Sequence, residues 1–156
     1  MHSYIEGVCI EIGNLSGFET YTADPSQVFK KNIPLHQLST MPQCPSFTYD
    51  GIVQIASRID VIWFSGSRLA FPKKAIEVVQ SVGTLYGALN RMSQLVDFDT
   101  KFLVVGPEEH GGKFHSTIKM RPYLQFEDRF YFKYYEEIIE SYEIALRREE
   151  LKDIFT

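Results

Sequence analysis

Apolar positions at the start of the chain recur at helical steps. Ile5, Val8, Cys9, Ile12 and Leu15 fall three and four apart and form one stripe, which predicts an amphipathic helix over Ser3 to Leu15. Ser3 is placed to cap it, with Glu6 three residues on as the other half of a capping box. Gly17 suits a left-handed stop. Phe18 to Thr22 then alternates as a strand does, and Asp24-Pro25-Ser26 breaks it. Residues 23 to 47 are irregular and punctuated by Pro34, Pro42 and Pro45. Such a segment could line a functional groove or pack as an insertion. A short helix is expected over Phe47 to Arg58, capped by Thr48 or Asp50, with Ile52, Ile55 and Ala56 inward.

The next stretch changes period. Ile59 to Phe64 is rich in β-branched and aromatic residues, Ser65-Gly66-Ser67 turns the chain, and Ala75 to Val79 is apolar apart from Glu77. This reads as two strands joined by a hairpin. Pro72 cannot donate to a central ladder, so the second strand is expected to begin near Lys74. A helix follows over Gly83 to Val96, with Leu85, Leu89, Met92 and Val96 on one face. Gly83 and Gly87 inside it suggest a close approach to the sheet or to a ligand. Then come a buried-type strand at Lys101 to Val105, a helix within 112 to 120, a short strand at Phe130 to Phe132 and a long helix from Tyr134 to Phe155. That alternation predicts an α/β domain with a mixed central sheet flanked by helices, a single domain over residues 1 to 156.

Composition narrows the setting. The two cysteines, Cys9 and Cys44, suggest neither a disulfide framework nor a zinc cluster. There is no signal-peptide pattern and no stretch of transmembrane length, so a soluble, cytoplasmic protein without membrane contact is expected. A net charge of -4 argues against holding nucleic acid by charge alone. It leaves room for a local basic groove, since Lys30-Lys31, Lys73-Lys74 and Arg147-Arg148 are adjacent pairs.

The chemistry centres on the hairpin. Asp60 opens its first strand and Glu77 sits in the second. Carboxylates are depleted in strand interiors because each must be solvated or partnered. Two on adjacent apolar strands could share a magnesium ion, which takes oxygen ligands. The plainer alternative is that both face water on an amphipathic hairpin. An acidic first helix, a strand, Asp60, then Glu77 and a helix together resemble the PD-(D/E)XK, or restriction-endonuclease-like, superfamily. The matching stretches are Ile-Gly-Asn-Leu-Ser-Gly-Phe-Glu-Thr-Tyr-Thr-Ala-Asp-Pro at 12 to 25, Arg-Ile-Asp-Val-Ile-Trp-Phe at 58 to 64 and Ile-Glu-Val at 76 to 78. The resemblance covers roughly residues 2 to 105.

It implies a restriction-endonuclease-like fold and divalent-metal-dependent (Mg2+ or Mn2+) hydrolysis of DNA phosphodiester bonds. Asp60 and Glu77 would bind the metal, and Glu6, or second to it Glu11, would be the auxiliary acid of the first helix. Gln94 is a possible further polar residue. DNA is the implied partner, with a homodimer or a larger complex as possible settings. The pattern breaks at Val79, which stands where a Lys, Glu or Gln is expected, while Gln80 points to the other face and Lys73 and Lys74 lie upstream. A catalytically inactive module that binds DNA or protein is therefore the alternative. Other candidates are weaker. His110 and His115 are five apart, a spacing that does not bring them together on a helix. His2 and His36 read as isolated. The aromatics from Phe130 to Tyr135 could stack bases or pack in the core.

Overall fold

Five strands lie side by side in the order in which the chain makes them. The computed structural model describes residues 1–66 and 68–155, so Ser67 of the expected turn lies outside the described residues. The chain runs through α1 (His2–Leu15), β1 (Glu19–Thr22), α2 (Asp50–Ala56), β2 (Val61–Phe64) and β3 (Pro72–Val78). It continues with α3 (Leu85–Ser93), β4 (Lys101–Gly106), α4 (Gly111–Ile118), β5 (Phe130–Tyr134) and α5 (Tyr135–Phe155). The first three strands pair antiparallel. The pairs β3–β4 and β4–β5 are parallel, and each is joined by a crossover that contains a helix, as parallel neighbours require. The expected α/β mixed sheet flanked by helices is the observed architecture. Among the described residues no helix is long and apolar enough to cross a membrane.

Strand alternation divides the apolar residues between two layers. Ile62, Phe64, Ala75, Phe102, Val104 and Phe130 meet Leu85, Leu89 and Met92 of α3 and Phe114 of α4. On the opposite face Val61, Trp63, Ile76 and Val78 meet Ile5, Val8 and Cys9 of α1 and Ile138 and Tyr142 of α5. Fully buried Phe64, Phe102 and Phe114 each contribute roughly 2–3 kcal/mol by leaving water. The aromatic stretch at β5 goes mainly to this packing: Phe130 and Phe132 belong to the α3 side, while Tyr131 remains exposed.

The first helix approaches the sheet at a glycine. A Cβ on Gly13 would stand 2.5 Å from Nε1 of Trp63 and 2.8 Å from Cγ2 of Thr20. The indole N–H donates to the Cys9 carbonyl at 3.1 Å. Gly17, at φ +87, ends the helix in the left-handed conformation anticipated for it.

Three local expectations are corrected. The Ser3–Glu6 capping box does not form: the helix starts at His2 with Met1 at the cap, which frees Glu6 to turn into the interior. The helix expected over Phe47 to Arg58 is only Asp50–Ala56, with Tyr49 at its cap and no side-chain cap bond. The strand expected from Lys74 begins at Pro72. Pro72 is tolerated because it faces Phe64 where the register shifts, at the end of the ladder. Of the two readings open for residues 23–47, packing as an insertion is seen in two 3-10 turns and buried Phe29 and Leu35, while Asp24 and Gln27 at its start line a cavity. Phe29 occupies the space a side chain at Gly7 would need, and its ring stacks on Tyr4 at 5.3 Å.

Candidate functional site

The register of the hairpin places its two acidic residues together. Val61 faces Ile76 across the antiparallel pair, and one step further sets Asp60 opposite Glu77. Asp60 lies just before β2 and holds the end of β3: its Oδ2 accepts the Val78 N–H at 2.8 Å. Its carbonyl accepts the Ala23 N–H at 3.2 Å, which ties the loop after β1 to the same point. Asp60 and Glu77 line one cavity of about 220 Å3 with His2, Thr84 and Arg91.

Within that cavity Glu77 is only 1 % exposed and is gripped by Arg91 of α3. Nε donates to Oε2 at 2.6 Å and Nη2 to Oε1 at 3.1 Å, a bidentate pair. Gly87 stands one turn before Arg91, and a Cβ there would lie 3.4 Å from Nη1. The close approach to the sheet or a ligand anticipated at this glycine is not seen: its neighbour is the guanidinium one turn on, at ordinary contact distance. Gly83 likewise has only Ser81 Oγ within reach, at 3.9 Å.

A second group meets Asp60 from the other side. His2 and Glu6 are one helical turn apart on α1, so their side chains fall on one line. Nε2 of His2 is 2.5 Å from Oε1 of Glu6 and 3.7 Å from Oδ2 of Asp60. Asp24 joins them from the turn after β1, where its N–H bonds Thr22 Oγ1 at 3.1 Å. One donor atom each from His2, Glu6, Asp24 and Asp60 lies within 4.8 Å of the others. Glu6 is fully buried, and among the described residues neither of its oxygens accepts a well-formed hydrogen bond. His2, Glu6 and Asp24 also line a neighbouring cavity of about 400 Å3 with Gln27 and Gln80. The reading of His2 as isolated is thus corrected: the helix starts one residue earlier than expected and sets the imidazole over Glu6.

Crowding of carboxylates in a poorly solvated place governs the protonation. Burial pushes the Glu6 carboxyl up to about 8, and the His2 contact only partly offsets it. Asp60 is raised by burial, against the opposing pull of the Val78 N–H and of His2. The contact with Glu6 raises the His2 imidazole, against its own burial. For Glu77, burial raises the carboxyl, and the Arg91 guanidinium offsets that rise only in part. Arg91 in turn is held more firmly protonated by Glu77.

Of the sequence-based set, the structure sets Asp60 beside Glu77 in one cavity and beside Glu6 in the donor cluster, and leaves others outside. Glu11 is not in the cluster. Gln94 is exposed past the end of α3, where its amide reaches the Asn90 carbonyl at 3.4 Å, and it does not line the cavity. Val79 is buried in the core and offers no polar side-chain atom. Gln80 follows the end of β3, is exposed, and lines both cavities. Lys74 points into a groove of about 560 Å3 on the α1–α5 face, shared with Lys101 and Lys133 and opposite in strand parity to Glu77. There burial and Lys101 lower the Lys74 ammonium. Sequence reasoning missed His2, Asp24 and Arg91. The readable signals were a His and a Glu one turn apart, and an Arg one turn after a helix glycine.

Comparison with known proteins gives a consistent family. Residues 1–155 match a family described as the type II restriction enzyme NmeDI C-terminal domain. The type II restriction enzyme NmeDI of Neisseria meningitidis serogroup C is 34% identical over 106 residues, 65% of this chain. The match spans 29% of that protein's length. No solved structure matches.

Proposed function

Since the chain belongs to the family of the type II restriction enzyme NmeDI C-terminal domain, we propose that it is a DNA endonuclease domain dependent on a divalent metal. In this reading it is a PD-(D/E)XK-type site with an altered Glu-x-Lys element, acting on phosphodiester bonds. The observation that carries it is Asp60 at the end of β3, which shares a cavity with Glu77 and a cluster of donor atoms with Glu6.

The residues suit a divalent cation. Three carboxylates and an imidazole converge, and fully buried Glu6 lacks a well-formed hydrogen bond among the described residues. Asp60 and Glu6 would hold the ion, with Glu77 on the far side of Asp60. When bound, it would supply positive charge to the phosphate and acidity to the attacking water.

The protein's own groups set the rest. The Val78 N–H fixes Asp60. Arg91 orients Glu77 and leaves Nη1 outside that pairing, a donor for a phosphate oxygen within a cavity where Val79 supplies none.

The test is a plasmid-nicking assay with Mg2+ or Mn2+ on wild type and Asp60→Asn. Cleavage that needs metal and disappears in the variant supports the reading. No cleavage by folded wild type with either ion would remove it.

A second reading rests on Val79 and on the Arg91 grip: a nuclease fold that binds DNA or a protein without cutting. Binding of duplex DNA by wild type and Asp60→Asn alike, with no cleavage by either, would favour it.

A further inference from the structure

We propose that His2 and Asp24 are metal ligands, and that the centre therefore takes a first-row transition ion, manganese, cobalt or zinc, in preference to magnesium. This rests on the metal reading of the site given above and adds its ligand set and selectivity.

The geometry divides the acidic residues into two groups that share Asp60. On one side Glu77 spends both carboxylate oxygens on Arg91. An ion ligated there would have to compete with a charge-assisted bidentate pair. On the other side His2 Nε2, Glu6, Asp24 and Asp60 present one donor each within 4.8 Å of one another. The second observation is Glu6 itself. Its side chain is 0% exposed and points into this group; Oε1 lies against His2 Nε2, while Oε2 has no hydrogen-bond partner among the described residues. A buried carboxylate oxygen normally has a partner, and a shared ion would give Oε2 one.

Each donor is held by local structure. His2 and Glu6 are fixed one turn apart by α1. Asp24 is set by its N–H to Thr22, and the adjacent Ala23 N–H binds the Asp60 carbonyl. Selectivity follows from donor chemistry. Magnesium takes oxygen ligands in strict octahedral geometry and keeps much of its water. An imidazole nitrogen among carboxylates suits zinc and cobalt best, and first-row transition ions bind such a mixed nitrogen and oxygen set with affinity that rises from manganese onward. The cavity of about 400 Å3 lined by His2, Glu6 and Asp24 gives the ion an approach.

The experiment uses the untagged, metal-stripped chain. Affinities for Mn2+ and Mg2+ are measured by calorimetry, and the Mn2+ complex is examined by pulsed electron paramagnetic resonance for coupling to 14N. The expected result is 14N modulation in wild type and Mn2+ bound at least about tenfold more tightly than Mg2+. His2→Ala should lose the modulation and about tenfold or more in Mn2+ affinity, with Mg2+ affinity little changed. Asp24→Asn should lose Mn2+ affinity while keeping the modulation, which separates loss of a ligand from loss of fold. Mn2+ bound without 14N modulation, or affinities indifferent to His2→Ala, would overturn the ligand set and leave the nuclease reading standing. A full 14N signal with no DNA cleavage would leave the ligand set standing and sink the nuclease reading. No binding of either ion would overturn the proposal.

Discussion

Arg91 grips Glu77 with two parallel hydrogen bonds, at 2.6 and 3.1 Å, across the gap between α3 and β3. Arg91 is one-third exposed and Glu77 almost wholly buried. Removing the cation strands the anion, which costs more than removing both. Arg91→Met should therefore destabilise the fold by about 3 kcal/mol. Glu77→Gln combined with Arg91→Met should recover a large part of that loss. Urea unfolding of both single variants and the double variant checks it. Additive effects would mean that the pair is not coupled.

Asp60 has a structural and a chemical duty, and two substitutions separate them. Asn at this position keeps an oxygen for the Val78 N–H, whereas Ala does not. Asp60→Asn should stay within about 1 kcal/mol of wild type, and Asp60→Ala should lose about 1–2 kcal/mol more. Both should lower metal-dependent cleavage on the order of a thousandfold. Thermal unfolding and plasmid nicking on the same preparations give the two readings.

Gly13 is the point at which α1 meets the sheet. Alanine favours a helix by ~1 kcal/mol over glycine. Its Cβ, however, would sit 2.5 Å from the indole nitrogen of Trp63. Overpacking at a helix–sheet contact costs about 1–3 kcal/mol. Gly13→Ala should be a net loss, seen as a lower denaturation midpoint and a change in Trp63 fluorescence. A stabilised variant would show that the contact yields easily.

Metal-free stability should depend on pH through Glu6. Its folded pKa, raised from 4.5 to about 8, exceeds its unfolded value, so the folded state holds the proton more tightly. The associated stability is fully present below about 4.5 and is lost as pH rises through about 8. His2, also raised, acts with the same sign. Melting temperature without metal should fall from pH 5 to 8, and Glu6→Gln should flatten that fall. A slope identical in wild type and variant would show that Glu6 titrates normally.

The order of elements was legible because each carries its own period. The stripes of α1 and α3, the apolar β4 and the β-branched β2 all appear where the pattern put them. Pro72 was harder, because a register shift at the end of a ladder depends on pairing partners rather than on local sequence. Asp60 and Glu77 stood out chemically, since carboxylates within apolar strands need an explanation, whereas Glu6 was reached through the family resemblance. Asp24 did not, because an Asp before a Pro already accounts for a turn. Arg91 did not either, because its partner Glu77 lies 14 residues back, on the strand before α3, a pairing that only the fold reveals. His2 was within reach through its helical spacing to Glu6. It was hidden by the expectation that Ser3 begins the helix.

The location of His2 in the first turn of α1 bears on how the protein is handled. Residues fused ahead of Met1 would emerge beside Glu6, Asp24 and Asp60. A polyhistidine tag there would bring foreign imidazoles to the cluster and could imitate or mask the native ligands. The far end of α5, where Ile154 and Phe155 are exposed, is the better place for a purification handle. Metal affinities obtained with amino-terminally tagged material would report on the tag as much as on the protein.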